Sequence, residues 1–252
     1  LKHQKKAKNT DGKKTRSVRG IPKLMDANFA GGKKSAQCTL LLCEGDSAKA
    51  GIVSGLSKED RNLYGIFPLK GKLMNVLDVA QSKINTNEEI NNIKKIMGLN
   101  SNKIYTAEDV KTSLRYGKII FMTDQDLDGS HIKGLCINLF QSQWKELVRI
   151  PGFLGFMNTP IIKAMRGTKS VSFYNEKQYR DWKQANENGK GWRIKYFKGL
   201  GTSQAKEFKE YFREKRFITF THEGKDCDDS LDKAFNKKLA DSRKTWLENY
   251  NR

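Results

Sequence analysis

The sequence has no apolar run long enough to cross a membrane, and no signal peptide opens it. Cysteine is scarce, and the cysteines share no metal-ligand spacing and lie mostly in apolar runs. We therefore expect buried thiols rather than zinc ligands or disulfides, and an intracellular protein without a membrane partner. The cysteines are Cys38, Cys43, Cys136 and Cys227.

Acidic residues are also few. The 252 residues include 28 Asp and Glu against 48 Lys and Arg, which gives a formal net charge of +20. That charge exceeds what solubility requires and predicts an anionic partner, of which nucleic acid is the commonest. A ribosomal or membrane-surface protein would have a similar charge. The length allows one large domain or a main domain with a smaller one.

Two short stretches carry the strongest pattern. They are LLLCEGDSA at residues 40–48 and IIFMTDQDLDG at residues 119–129. Each is an apolar run of strand length that ends on a turn rich in carboxylates and glycine and leads into a helical pattern. In α/β domains such turns lie at the carboxyl ends of the strands, where ligands bind.

If the two strands are neighbours, four carboxylates meet at one edge of the sheet. They would repel one another unless a cation lies among them, and hard oxygen ligands favour magnesium, manganese or calcium. The predicted metal ligands are Glu44, Asp124, Asp126 and Asp128. The nearby Asp46 and Ser47 are instead predicted to cap the helix that follows the first turn.

Basic residues recur in two glycine turns. The segment 67–76, FPLKGKLMNV, has Lys70 and Lys72 on either side of a glycine directly after a strand, which lets backbone and ammonium groups approach a phosphate. A solvated basic turn is the alternative. The turn at 198–203, KGLGTS, opens a helix and by itself is weak evidence for phosphate binding.

The chain divides into three predicted parts. Residues 1–34 are interpreted as a basic linker, with a DNA-binding arm as the alternative. Residues 35–150 form the α/β domain with the carboxylates. Residues 151–252 form a smaller α+β section that ends in a basic helical pattern.

The glutamate turn followed by Asp-x-Asp-x-Asp-Gly resembles the Toprim domain, which topoisomerases, some primases and certain nucleases share. The segments PLKGKLMNV and YFKGLGTS are similar to signatures of type IIA DNA topoisomerases. RYGK at 115–118 and GSHIKGL at 129–135 resemble the eukaryotic and large-virus branch. The resemblance runs from about residue 20 to residue 247 and covers nearly the whole chain.

The resemblance implies a fold, an activity and cofactors. The fold would be an α/β Toprim domain, with a central, mostly parallel sheet flanked by helices, plus a smaller α+β C-terminal section. Type IIA topoisomerases cut both strands of a duplex through phosphotyrosyl links, pass a second duplex through and reseal the first, using ATP. This chain would supply the Mg²⁺ site, where Mn²⁺ or Ca²⁺ could bind instead, and Glu44 would also act as the catalytic proton carrier.

The nucleophile is not expected in this chain. Family members use a tyrosine that follows an arginine in a winged-helix domain. Here Tyr179 precedes an arginine, and the pair Arg115 and Tyr116 begins a strand. We therefore expect a piece of a longer, homodimeric, ATP-using enzyme that binds double-stranded DNA but does not cleave it alone, and that leads into a winged-helix domain after residue 252.

Further expectations concern DNA contacts and alternative functions. The candidate phosphate contacts are Lys70, Lys72, Lys83, Arg243, Lys244 and Lys198. A Toprim nuclease, a primase domain and a non-catalytic basic DNA-binding module remain alternatives. The enzyme would be located in the nucleus, or in the host cytoplasm if a large DNA virus encodes it.

Overall fold

Two β-sheets organise the fold. The computed structural model describes residues 10–249. Their strands are Thr39–Glu44 (β1), Tyr64–Leu69 (β2), Lys118–Met122 (β3), Leu154–Met157 (β4), Ile162–Arg166 (β5), Lys169–Phe173 (β6), Arg193–Tyr196 (β7) and Phe217–Thr219 (β8). The larger sheet has the order β2-β1-β3-β4-β8, in which only β8 is antiparallel to its neighbour. The smaller sheet, β6-β5-β7, is antiparallel.

Helices pack on both faces of the larger sheet. Their bounds are Gly45–Gly55 (α1), Asp60–Leu63 (α2), Gln81–Thr86 (α3), Glu88–Met97 (α4), Ala107–Thr112 (α5), Leu127–Gln143 (α6), Lys145–Arg149 (α7), Glu176–Ala185 (α8), Ala205–Glu214 (α9), Lys225–Phe235 (α10) and Ala240–Glu248 (α11). In this part of the chain no helix is both long and apolar enough to span a bilayer. The predicted fold class, a mostly parallel sheet flanked by helices with a smaller sheet region, is confirmed.

The apolar run of β1 is explained by burial on both faces. Successive side chains of a strand point to opposite faces, and a parallel sheet with helices on both sides needs apolar residues at every position. Leu40 and Leu42 pack in the core cluster that contains residues of α4 and α6. Leu41 and Cys43 pack in the cluster formed with α1 and α9.

The second half of the chain contributes strands to both sheets. The predicted boundary near residue 150 lies just before β4, yet β4 pairs with β3 and extends the larger sheet. After the smaller sheet, the chain returns as α9 against α1 and as β8 against β4. The larger sheet is therefore completed by residues on both sides of that boundary.

Residues 10–34 differ from the solvated linker that the sequence predicts. Met25 and Ile66 exchange two backbone hydrogen bonds of 2.9 and 2.7 Å, so the segment covers the outer edge of β2. Ile21 and Ala27 are buried in the core. These anchors are too widely spaced to give a periodic apolar pattern, which explains the wrong expectation. Residues 1–9 lie outside the described residues.

A buried arginine ties this segment to the domain. Arg115 is fully buried, and its guanidinium donates to the carbonyl oxygens of Thr15 at 2.7 Å and Ile96 at 2.8 Å. It also pairs with the carboxylate of Asp26, which accepts a second hydrogen bond from the hydroxyl of Tyr116. The charge of Arg115 therefore has its counter-charge within the segment 10–34.

Replacing Asp26 by Ala is expected to lower the free energy of unfolding by about 3 kcal/mol, because it leaves the charge of Arg115 buried without compensation. Urea denaturation measures the change. The control is Asp181→Ala, which removes the partner of Lys177 in an exposed ion pair on α8 and should cost less than about 1 kcal/mol. Equal losses in the two variants would contradict this role for Asp26.

Candidate metal centre

The predicted metal ligands lie at the end of one strand and just beyond the end of its parallel neighbour. β1 and β3 pair directly, with Leu42 opposite Phe121 and Cys43 opposite Met122. β1 ends at Glu44 and β3 ends at Met122, so both loops begin at the same edge of the larger sheet. The strand adjacency on which the predicted site depends is therefore present.

Glu44 is the last residue of β1 and lies at this edge of the sheet. Its side chain is half-buried, and its Oε2 atom is buried without a hydrogen-bond partner. Burial raises the pKa of Glu44, and the negative charges of Asp124, Asp126 and Asp128 raise it further, while the backbone amide of Asp124 acts in the opposite direction. Oε2 of Glu44, which has no hydrogen-bond partner, thus lies close enough to three aspartates for their negative charges to act on its carboxyl group.

Each of the three aspartates has a partner elsewhere. Oδ1 of Asp124 accepts a hydrogen bond from the amide of Leu200 at 2.7 Å. Oδ1 of Asp126 accepts from the amide of Gly129, also at 2.7 Å, which caps the N-terminus of α6. Asp128 pairs with Lys72 at 2.7 Å at the surface, and the hydrogen bond from Lys72 lowers the pKa of Asp128.

The four carboxylates therefore share an edge without forming a closed ligand cage. Within residues 10–249, no three His, Cys, Asp or Glu side chains are grouped closely enough to hold a metal ion. The residues nevertheless fit a hard divalent cation, because the orphaned oxygen of Glu44 and the repulsion from its neighbours are what such an ion would compensate. Which of the four would bind it directly stays a prediction.

The two residues predicted as helix caps do not act as caps. α1 begins at Gly45, so Glu44 occupies the N-cap position, and no side chain accepts a capping hydrogen bond there. Asp46 lies in the first turn and pairs with Lys23 of the N-terminal segment. The prediction was wrong because the helix begins earlier than the sequence pattern indicates.

Two of the candidate phosphate-binding lysines lie on the turn after β2. Lys72 is exposed and pairs with Asp128, so it lies at the edge that carries the carboxylates. Lys70 is exposed as well, with its ammonium 3.7 Å from the carboxylate of Glu88 and its amide bonded to Glu89. Both ammonium groups lie at the surface, where a phosphate could reach them.

The other four candidates lie on separate elements. Lys83 on α3 and Lys198 before α9 are exposed, and Lys244 on α11 is 3.5 Å from Asp241. Arg243 is already hydrogen-bonded within the protein. One nitrogen of its guanidinium donates to the carbonyl oxygens of Lys233, Ala234 and Asn236 at the end of α10. The phosphate contacts of all six stay predictions.

The backbone of the turn 198–203 is a component of this edge that the sequence did not reveal. Its pattern by itself is weak evidence for phosphate binding, and the structure gives its Leu200 amide a carboxylate partner, Asp124. The closely spaced glycines at 199 and 201 were the available signal, since glycine permits a close backbone approach. The pattern does not indicate which chemical group approaches the backbone of this turn.

Two sequence families match the chain over most of its length. The Toprim domain matches residues 39–151. The C-terminal associated domain of Toprim matches residues 157–252.

Individual relatives give the same grouping. DNA topoisomerase 2 of Drosophila melanogaster is 50% identical over 252 residues, which are 99% of this chain and 17% of that protein. DNA topoisomerase 2-beta of Homo sapiens is 53% identical over 236 residues, or 92% of this chain and 14% of the relative. The crystal structure of the Plasmodium falciparum topoisomerase II DNA-binding, cleavage and re-ligation domain superposes with a TM-score of 0.88 at 48% identity, covering 94% of this chain and 32% of that one. The chain thus spans about a sixth of the curated relatives it matches.

Replacing Glu44 by Gln is expected to stabilise the protein at neutral pH when EDTA removes divalent cations. Because the pKa of Glu44 is raised in the folded state, the free energy of unfolding falls as the pH rises from the ordinary carboxyl pKa through the raised one. In Glu44→Gln the free energy of unfolding should not show this fall, because the amide does not titrate. The gain of this variant at neutral pH should be at most about 1 kcal/mol, because the carboxyl group is only partly buried.

Urea denaturation at neutral and acidic pH tests this difference, which should vanish below both pKa values. The control is Glu223→Gln, since Glu223 is an exposed glutamate, and it should leave the pH profile unchanged. Identical profiles for the wild type and Glu44→Gln would contradict the expected repulsion.

Proposed function

Because this chain belongs to the type IIA DNA topoisomerases, as their Toprim region, we propose that it binds magnesium and duplex DNA. In this role it supports cleavage and resealing of both strands of the duplex. The tyrosine nucleophile and the ATP-hydrolysing part belong to other regions of the enzyme.

The observation that carries the proposal is the unpartnered Oε2 of Glu44 at the edge that it shares with Asp124 and Asp126. These three side chains would have to converge on the ion when it binds, because within residues 10–249 they are not grouped closely enough to hold it as they stand. Asp128 is the least certain of the four ligands. Three carboxylates suffice, because magnesium keeps several of its waters. When bound, the ion would neutralise phosphate oxygens and stabilise negative charge on the leaving 3′ oxygen.

Glu44 is the proposed proton carrier. Resealing requires a proton to leave the 3′ hydroxyl of the cut strand before its oxygen attacks the phosphotyrosyl link. A carboxylate beside the bound ion would be positioned to take that proton.

Two tyrosines of this chain have an adjacent arginine, and neither is well suited to be the nucleophile. This supports a nucleophile that lies outside this chain. Tyr116 is fully buried, and its hydroxyl donates to Asp26. Burial holds the pKa of Tyr116 well above its usual value, so it is a poor nucleophile. Tyr179 is half-buried and packs against the rings of Phe173 and Trp182 in the smaller sheet region. We propose that this chain alone does not cleave DNA.

The remaining proposals concern the whole enzyme. The relatives from Drosophila melanogaster and Homo sapiens are animal proteins, which supports a nuclear location where chromosomal DNA is available. We further propose that the enzyme acts as a homodimer whose contacts lie mainly outside this chain, and that ATP is used only by the full-length protein.

Replacing Asp126 by Asn should weaken the binding of Mg²⁺ or Mn²⁺ by about tenfold or more, which corresponds to about 1.4 kcal/mol. Asn is as good an N-cap as Asp, so α6 should keep its cap while the site loses one negative charge. Isothermal titration calorimetry with each ion measures the affinity.

Asp46→Asn is the matched control, because Asp46 lies two residues from Glu44 but pairs with Lys23. It should leave the affinity for the ion nearly unchanged. Equal affinities of Asp126→Asn and the wild type would remove Asp126 from the ligands.

Replacing Lys72 by Ala should reduce the salt dependence of duplex binding by about 0.9 in the log–log slope, because one phosphate contact is lost. The effect should be the same for different DNA sequences. Fluorescence anisotropy over a range of salt concentrations measures the slope. The control is Lys177→Ala on α8, an exposed lysine in a surface ion pair, which should leave the slope unchanged.

The same preparations test whether the chain cleaves DNA by itself. We expect no cleavage products with any divalent ion. Efficient cleavage that Glu44→Gln abolishes would replace the topoisomerase proposal with a Toprim nuclease.

A further inference from the structure

The turn 198–203 lies against the carboxylate of Asp124. The amide of Leu200 donates to Oδ1 of Asp124 at 2.7 Å, a contact between residues 76 positions apart in the sequence. A Cβ atom on Gly199 would lie 2.2 Å from Oδ2 and 2.5 Å from Cγ of the same carboxylate. Any side chain at position 199 would therefore displace Asp124, the turn, or both.

The turn is itself firmly held. The Leu200 side chain is 3% exposed and packs in the core cluster between the larger sheet and the helices α1 and α9. The hydroxyl of Thr202 donates to the carbonyl oxygen of Gly199 at 2.7 Å, and the hydroxyls of Ser203 and Tyr211 are 2.9 Å apart. The donor that meets Asp124 is thus fixed by packing and by hydrogen bonds within the turn and to α9.

We propose that the backbone of Gly199 and Leu200 is a positioning element for the metal-binding carboxylate of Asp124. The inference rests on the proposed function, since it assumes that Asp124 binds the ion. A hydrogen bond to one oxygen of a ligating carboxylate fixes its rotation and its charge distribution, and such supporting contacts are needed for full metal affinity. The glycine at position 199 is required because the backbone must approach the carboxylate closely.

The proposal gives the glycine turn a role other than phosphate binding. The Leu200 amide is already used by Asp124, so it is not available to a phosphate. The turn belongs to the C-terminal associated domain of Toprim, whereas Asp124 belongs to the Toprim domain. The second domain would thus contribute to metal binding in the first without providing a ligand of its own.

The test compares two glycines of the same turn. Gly199→Ala should weaken Mn²⁺ and Mg²⁺ binding by about tenfold or more, within the range found for the loss of contacts that support metal ligands. Gly201→Ala is the matched control, because a Cβ atom there meets no atom within 4 Å. Gly199 has an extended φ of 173° and no positive φ is recorded for Gly201, so the comparison isolates the close approach. Calorimetric titration measures the affinities, and urea denaturation in EDTA checks that both variants fold.

A second variant removes the donor without adding a methyl group. Replacing Leu200 by its α-hydroxy acid exchanges the amide for an ester and keeps the buried side chain. It should also weaken metal binding by about tenfold, and this result keeps the test decisive if Gly199→Ala fails to fold.

The outcomes separate the two proposals. If the wild type binds neither ion, the proposed function fails. If the wild type binds an ion, and Gly199→Ala and the ester variant bind it equally well, the positioning role is overturned. Loss of DNA affinity in EDTA with unchanged metal affinity would also overturn it, in favour of a phosphate-binding turn.

Discussion

Repulsion among carboxylates at one edge of the larger sheet is the constraint on which the rest of this structure depends. Parallel pairing of β1 and β3 brings Glu44 and Asp124 to the same edge, and nothing in the strands themselves offsets their charges. In the absence of a cation, the surrounding protein must compensate. It does so for the aspartates and leaves one oxygen of Glu44 without a partner.

The compensating groups come from three different kinds of structure. Asp126 uses the free amide at the start of α6, Asp128 uses a lysine from the turn after β2, and Asp124 uses an amide from a turn beyond the smaller sheet. Only the first is local in sequence. The edge is therefore assembled from distant segments, and its geometry depends on how α9 packs against α1.

Sequence patterns predicted the parts of this structure that local chemistry determines. The apolar runs of β1 and β3 and the carboxylates at their ends follow from residue type and spacing. The contacts of residues 10–34 and of the turn 198–203 did not follow, because each depends on a partner far along the chain. From the sequence alone, a buried arginine such as Arg115 cannot be distinguished from a surface arginine, because its partner Asp26 lies far along the chain. Likewise, a glycine turn gives no indication of whether a phosphate or a carboxylate approaches it.

Two sequence families match this chain, but the two matched regions are not independent structural units. β4 lies between the strand that carries the aspartates and β8, which comes after the smaller sheet. The Leu200 amide reaches back across the family boundary to Asp124. An added methyl group at position 199 would collide with that carboxylate, so the two regions are in close contact at this turn. The carboxylate edge is therefore better understood as a property of both regions packed together than of the Toprim domain alone.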